Sequence, residues 1–206
     1  MRLKDKVAIV TGASRGIGAE IASMFAAEGA RVGLAARSME EMEQLRQSIS
    51  RQGGESICIS TDVRSRESMK NMVKTAYDAY GAIDILVNNA GYFYDVAPLV
   101  EMSDDQVNNT IDINLKGTMY MSREVCRRLV DAGTPGRVIN ITSGAAHSGR
   151  VNFSNYCASK AGILGLTRAM ALELAPAHIN VNSVSVGYVE VGRWEGDPSK
   201  DAVRAN

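Results

Sequence analysis

Three observations predict an α/β fold, a doubly wound and mostly parallel sheet with helices on both faces. Short, β-branched apolar runs alternate with longer stretches of helical period along the whole chain. The segment between each pair of runs is long enough for a helical crossover, and such crossovers join parallel strands. A glycine cluster directly follows the first run and leads into a helical stretch. Parallel strands are covered on both faces, which places helices above and below the sheet.

Val7–Thr11 is apolar and β-branched and reads as a buried strand. Ile17, Ile21 and Phe25 then recur every four residues and lay one apolar stripe along a helix, with Gly29 as its stop. Arg31–Ala36 is the second strand and Met39–Ser50, rich in Glu and Gln, the second helix. Ser56–Ser60 is strand, Arg66–Tyr80 helix and Ile83–Asn88 strand. One long helix is expected over Asp104–Asp131. Strand Arg137–Thr142, helix Ser154–Leu174 and strand Ile179–Ser183 complete six strands. Gly192–Asn206 is polar and without period.

The 206 residues suit a single domain, 1–206, with no repeat, low-complexity stretch or linker to divide it. The hydrophobic share is 45% and the charged share 22%, as in a soluble globular protein. Lys+Arg and Asp+Glu number 23 each, so no net charge recommends a nucleic-acid or membrane partner. Cys58, Cys126 and Cys157 have neither disulfide nor zinc spacing, and no metal is expected. The apolar run near the start is too short for a secretory signal or a membrane span. A reducing, cytoplasmic setting is expected.

Thr11–Gly18 carries glycines in the pattern G-x-x-x-G-x-G, at Gly12, Gly16 and Gly18, with Ser14, Arg15 and Ile17 between them. Glycine allows close ligand approach, and the following helix start offers free N–H groups and a favourable dipole to a pyrophosphate. The same pattern also serves a tight strand-to-helix turn without a ligand. The second strand ends in Ala36, Arg37 and Ser38. An acidic residue at this point binds the ribose 2′-hydroxyl of NAD, whereas an arginine accommodates the 2′-phosphate of NADP. Ala36 offers no carboxylate, and Arg15 and Arg37 are two guanidiniums that suit the phosphate, so NADP(H) is expected.

Tyr156 and Lys160 are four apart in a helical stretch, hence one turn apart on one face. An ammonium beside a phenol favours phenolate and lowers the tyrosine pKa from its ordinary ~10, which equips it as acid or base. Ser143 follows the fifth strand, where open α/β sheets bind ligands.

Along nearly its whole length the chain resembles the short-chain dehydrogenase/reductase family, with its Rossmann-type fold. The matching pieces are Thr11–Gly18, Asp62-Val63, Asn88-Asn89-Ala90-Gly91, Asn114 in Ile113–Leu115, Ser143 in Asn140–Ser143, and Tyr156–Lys160. Within the family it is most similar to 3-oxoacyl-thioester reductases and their carbonyl-reductase and sugar-dehydrogenase relatives. The resemblance implies Tyr156 as proton donor to a carbonyl oxygen. It makes Lys160 the holder of the nicotinamide ribose and Ser143 the residue that orients the carbonyl. It makes Asn114 the anchor of a water leading from Lys160. Asp62 and Val63 would contact adenine, and Asn89, Ala90 and Gly91 the adenine-ribose side. Plainer roles exist for several of these. Asn88 and Asn89 can form a turn, Asp62 can start a helix, and Asn114 can mark a kink or an i−4 bond.

Two departures stand out. The family's Pro-Gly after the sixth strand is Val186-Gly187 here, and its following Thr is Val191, although the Val189 backbone can still meet a carboxamide. The chain ends at Asn206, where the resemblance implies further helices and a seventh strand, so a short C-terminal unit with an open edge at the sixth strand is expected. Tyr92, Phe93, Tyr94, Ala145, Ala146 and Tyr188 are loop residues expected near substrate, while His147 reads as solvated. The expected activity is NADPH-dependent reduction of a ketone or 3-oxoacyl carbonyl by a homodimer or homotetramer. The alternatives are a polyol dehydrogenase and a non-catalytic NADP(H) sensor.

Overall fold

The computed structural model describes residues 1–189. Val191 and Gly192–Asn206, singled out above, lie outside them. Six parallel strands form one sheet, β1 (Val7–Thr11), β2 (Arg31–Ala36), β3 (Glu55–Ser60), β4 (Ile85–Asn88), β5 (Gly136–Ser143) and β6 (Ile179–Val186). Their order is β3-β2-β1-β4-β5-β6. The chain winds outward from β1 in one direction, then crosses back to β4 and winds in the other. The crevice above the β1/β4 junction is where such sheets bind ligands.

The helices are α1 (Gly16–Ala27), α2 (Met39–Arg51), α3 (Arg66–Tyr80), α4 (Asp104–Ile111), α5 (Gly117–Ala132), the one-turn α6 (Ala145–Ser148) and α7 (Ser154–Leu174). Alternation along β1 shows how they cover both faces. Ile9 packs with Met69, Met72, Met121 and Leu129 of α3 and α5. Ala8 and Val10 pack on the opposite face with Ala22, Met42 and Ile49 of α1 and α2. Val7, Ala8, Ile9 and Val10 are all fully buried, as two-sided coverage requires.

Local chemistry sets the helix ends. Ser65 caps α3, accepting from Ser68 N at 3.2 Å, and Gly81 stops it at φ 75°. Ser103 and Gln106 form a capping box at the start of α4. The first turns of α1 and α2, which face the cavity described below, have no side-chain cap.

The expected helix over Asp104–Asp131 is not regular. A π-helical segment, Asp112–Lys116, joins α4 to α5 around Asn114. Thr118 Oγ1 donates to the Asn114 carbonyl at 2.7 Å, and the Asn114 amide is drawn sideways by two partners outside the helix. Such single-turn bulges recur at functional sites. β6 runs three residues beyond its expected end, because its ladder with β5 continues until Val186 lies opposite Ser143.

Candidate active site

One cavity of about 840 Å³ runs along the C-terminal ends of the strands, from Arg37 beyond β2 to Tyr156 on α7. Every catalytic and cofactor-binding candidate within the described chain lines it except Asn114, which stands fully buried behind it. Gly187 and Val189 border it, as do Tyr92, Phe93, Tyr94, Ala145 and Tyr188. Ala146 and His147 do not, and His147 Nε2 lies 3.1 Å from Ser185 Oγ.

The glycine end is built from backbone. Gly12 has φ 65°, and a Cβ there would lie 2.9 Å from Ala90 Cα. A Cβ on Gly18 would lie 2.5 Å from Asn89 Nδ2 and closer still to the Gly12 carbonyl oxygen. Both positions therefore demand glycine, one for angle and space and the other for space. Asn89 holds the loop from beneath, its amide donating to Thr11 O at 3.0 Å and Gly12 O at 3.3 Å. Thr11 Oγ1 accepts from the N–H groups of Asn89 and Ala90, both at 3.0 Å, and donates to Val87 O. Asn89 thus braces the cradle as well as lining it. Asn88 turns into the core, donating to Ser122 Oγ and Asn140 Oδ1, both at 2.8 Å.

Arg15 and Arg37 border this end of the cavity, joined by Arg64, which no motif in the sequence singles out. Arg64 grips Asp62, with Nη2 2.7 Å from Oδ2 and Nε 3.1 Å from Oδ1. This grip, strengthened by the nearby Arg37, holds the Asp62 carboxyl below its ordinary pKa. Glu41 of α2 also borders the cavity, 3.9 Å from Arg15. The uncapped start of α1, the glycine cradle and the arginines suit the pyrophosphate of a dinucleotide.

The opposite end is built from side chains. Lys160 is one turn from Tyr156 on α7, and its Nζ lies 5.8 Å from the Tyr156 ring centroid. It is buried and donates to Ile141 O at 2.9 Å. Burial disfavours its charged form and pulls its pKa down to about 8. Ser143 ends β5, and its Oγ accepts from Ala145 N at 3.2 Å. The Tyr156 ring is met edge-on by Phe93 at 6.2 Å and by Phe153 at 6.3 Å.

Asn114 holds these pieces together from behind. Its Oδ1 accepts from Tyr92 N at 2.6 Å, and its amide donates to Tyr92 O at 2.8 Å and Ser159 Oγ at 3.0 Å. Ser159, fully buried, donates in turn to Tyr156 O at 2.7 Å. Both amide donors are therefore used, and a water anchored toward Lys160 must use the second lone pair of Oδ1 or the backbone carbonyl. Ser159 escaped sequence reasoning, since a serine inside a helix carries no signal of its own. Asn155 likewise ties α4 to the start of α7, donating to Thr110 Oγ1 at 3.0 Å and accepting from Tyr156 N at 2.7 Å.

A parallel sheet with a dinucleotide cradle at its switch point, continuous with a tyrosine–lysine–serine pocket, defines a nicotinamide-dependent oxidoreductase acting on a carbonyl or alcohol carbon. The chain belongs to the short chain dehydrogenase family, whose sequence profile matches residues 6–201. It is 37% identical to a sorbitol dehydrogenase of Cereibacter sphaeroides, over 98% of this chain and 77% of that protein. It is 36% identical to a 3-oxoacyl-acyl-carrier-protein reductase of Thermotoga maritima, over 97% of this chain and 80% of that protein. Its fold superposes on a xylitol dehydrogenase bound to NAD+ with a TM-score of 0.90 at 34% identity, covering 94% of this chain and 74% of that one. Among the described residues no helix is long and apolar enough to cross a membrane.

Proposed function

We propose that this protein reduces a ketone or 3-oxoacyl carbonyl to a secondary alcohol with NADPH. The observation that carries the cofactor choice is that Arg37 after β2, Arg15 before α1 and Arg64 after β3 all border the cavity, while Ala36 at the end of β2 leaves no carboxylate for a ribose diol. When bound, NADPH supplies the hydride. Gly12, Gly16 and Gly18 give its pyrophosphate room against the start of α1, and Asp62 and Val63 border its adenine. Tyr156 donates the proton to the carbonyl oxygen. Ser143 donates a hydrogen bond to the same oxygen and stabilises its developing charge. Lys160 holds the nicotinamide ribose and, when protonated, favours the tyrosinate left behind. Asn114 acts through Tyr92 and Ser159 to fix the aromatic loop against α7.

A second reading is polyol oxidation with NAD, favoured by the similarity to sorbitol dehydrogenase and by the Glu41 carboxylate beside Arg15. In either reading a homodimer or homotetramer forms through α5 and α7, where Met119, Val130 and Leu172 are exposed. Sedimentation measures that state.

Oxidation of NADPH and NADH with ketones and 3-oxoacyl thioesters, and reduction of NADP+ and NAD+ with polyols, test the activity, with Tyr156→Phe beside the parent. NADPH turnover that falls about 1,000-fold in Tyr156→Phe is expected, within the range for loss of a general acid. Reduction of NAD+ confined to polyols would select the second reading. Cofactor binding without turnover on any substrate would turn the assignment to an NADP(H) sensor.

A further inference from the structure

Arg64 holds a carboxylate at the cradle end of the cavity more tightly than charge balance requires. Asp62 and Arg64 follow β3, whose last residue, Ser60, lies opposite Ala36 of β2, and both border the cavity. The Asp62 backbone is pinned, its N–H donating to Ser68 Oγ at 2.9 Å and its carbonyl accepting from Ser65 N at 3.0 Å. Its side chain is held by Arg64 from two directions. The Arg64 backbone N–H donates to Oδ1 at 2.9 Å, and Nε to the same oxygen at 3.1 Å. Nη2 donates to Oδ2 at 2.7 Å, with Nε 3.2 Å from it.

This grip decides what else the carboxylate can accept. Each carboxylate oxygen has two lone pairs, and two donors occupy Oδ1. Oδ2 takes its full bond from Nη2 and keeps one acceptor position. Among the described residues the Arg64 guanidinium is the hydrogen-bond partner of Oδ2. The backbone bond fixes one oxygen, whereas the planar fork fixes the plane of the group and the direction of the open lone pair. The same grip holds the carboxyl below its ordinary pKa. An ionised carboxylate is an acceptor only, so it welcomes an N–H and repels a carbonyl oxygen.

In the dinucleotide reading Asp62 and Val63 border the base. Adenine carries an amino donor at its 6-position, where hypoxanthine carries a carbonyl. We infer that Arg64 is a positioning residue for base selection, which aims the open acceptor of Asp62 so that the cavity takes a 6-aminopurine dinucleotide and rejects a 6-oxopurine one. This inference rests on the dinucleotide part of the proposed function and is independent of the direction of the reaction. A guanidinium that merely attracts the 2′-phosphate would treat both bases alike, and NADH lacks that phosphate.

Fluorescence titration measures binding of NADPH, NADH and the hypoxanthine analogue of each to the parent, Arg64→Met, Arg64→Lys and Asp62→Asn, with near-UV circular dichroism to show that each variant is folded. The parent is expected to prefer the adenine form by about ten-fold or more in both pairs, as for loss of a hydrogen bond to a charged group. Asp62→Asn removes the preference, because an amide can turn a donor toward a carbonyl. Arg64→Met lowers it to about three-fold or less in the NADH pair, and Arg64→Lys, which keeps the charge without the fork, leaves it lowered. Equal binding of the two bases by the parent overturns the inference. So does a preference that survives Arg64→Met, or an affinity loss shared equally by the adenine and hypoxanthine forms. Full preference in Arg64→Lys shows that charge alone suffices and overturns the positioning role. Tighter binding of NADH than NADPH by the parent overturns the choice of NADPH, while an Arg64-dependent preference in the NADH pair still supports base selection. Binding of none of the four overturns the dinucleotide reading and this inference with it.

Discussion

The two ends of the cavity are made in different ways. At the cradle end the contacts come from backbone and glycine, and the charges are partly exposed. Asp62 is matched by Arg64, and Glu41 lies near Arg15. At the tyrosine end side chains from four separate stretches meet, and Lys160 is buried with a backbone carbonyl as its hydrogen-bond partner. Exposed pairs contribute little to stability and are screened by salt. A buried ammonium is a standing cost, because water would solvate it better. The cradle is therefore cheap to keep folded, while the tyrosine end holds a strained charge ready for a ligand.

The two ends differ most at Lys160, the buried ammonium of the tyrosine end. Its folded pKa of about 8 lies below the ordinary 10.5, so below pH 8 the folded state bears a penalty of about 3 kcal/mol. The unfolded chain binds the extra proton between pH 8 and 10.5, so this penalty fades as pH rises through that window. Lys160→Met should lose about 1,000-fold in kcat, the range for a disabled acid–base group, yet unfold at higher urea than the parent at pH 7. The gap in urea midpoint should narrow toward pH 10. A variant less stable than the parent at pH 7 would show that the bond to Ile141 outweighs the cost of burial.

Gly18→Ala probes the other end. Its Cβ would strike the Gly12 carbonyl and the Asn89 amide, which are backbone and a pinned side chain rather than flexible tips. NADPH affinity, read by fluorescence titration, should fall about 100-fold, equal to about 3 kcal/mol. The aromatic packing around Tyr156 should keep its near-UV circular dichroism. Loss of both signals would show that the two ends fold as one unit.

The smallest effect is expected at Ser159. Ser159→Ala leaves one Asn114 donor and one acceptor site of Tyr156 O unused, at a cost of about 1–2 kcal/mol in stability. If Ser159 positions Tyr156, kcat falls about five-fold, the pH profile of kcat shifts, and NADPH affinity is unchanged. Lowered stability with an unmoved kcat and pH profile would reduce it to a structural role.

Much of this was legible in the chain itself. Strand and helix identity followed from periodicity, because each residue's face depends only on its neighbours along the backbone. The Gly12–Gly18 cradle was legible because glycine spacing states a local backbone demand. Tyr156 and Lys160 were legible as a pair, because four residues make one helical turn. The strand order was not, since it depends on where each crossover lands. Nor was the π-helical segment at Asn114, which exists because Tyr92 and Ser159, distant in sequence, draw its amide out of register. Arg64 and Ser159 are unremarkable as residue types. Only folding brings Arg64 to the cradle and Ser159 between Asn114 and Tyr156. Period and spacing are local properties and survive in one dimension, whereas charge compensation and side-chain bracing are distances between remote residues, which only the packed sheet decides.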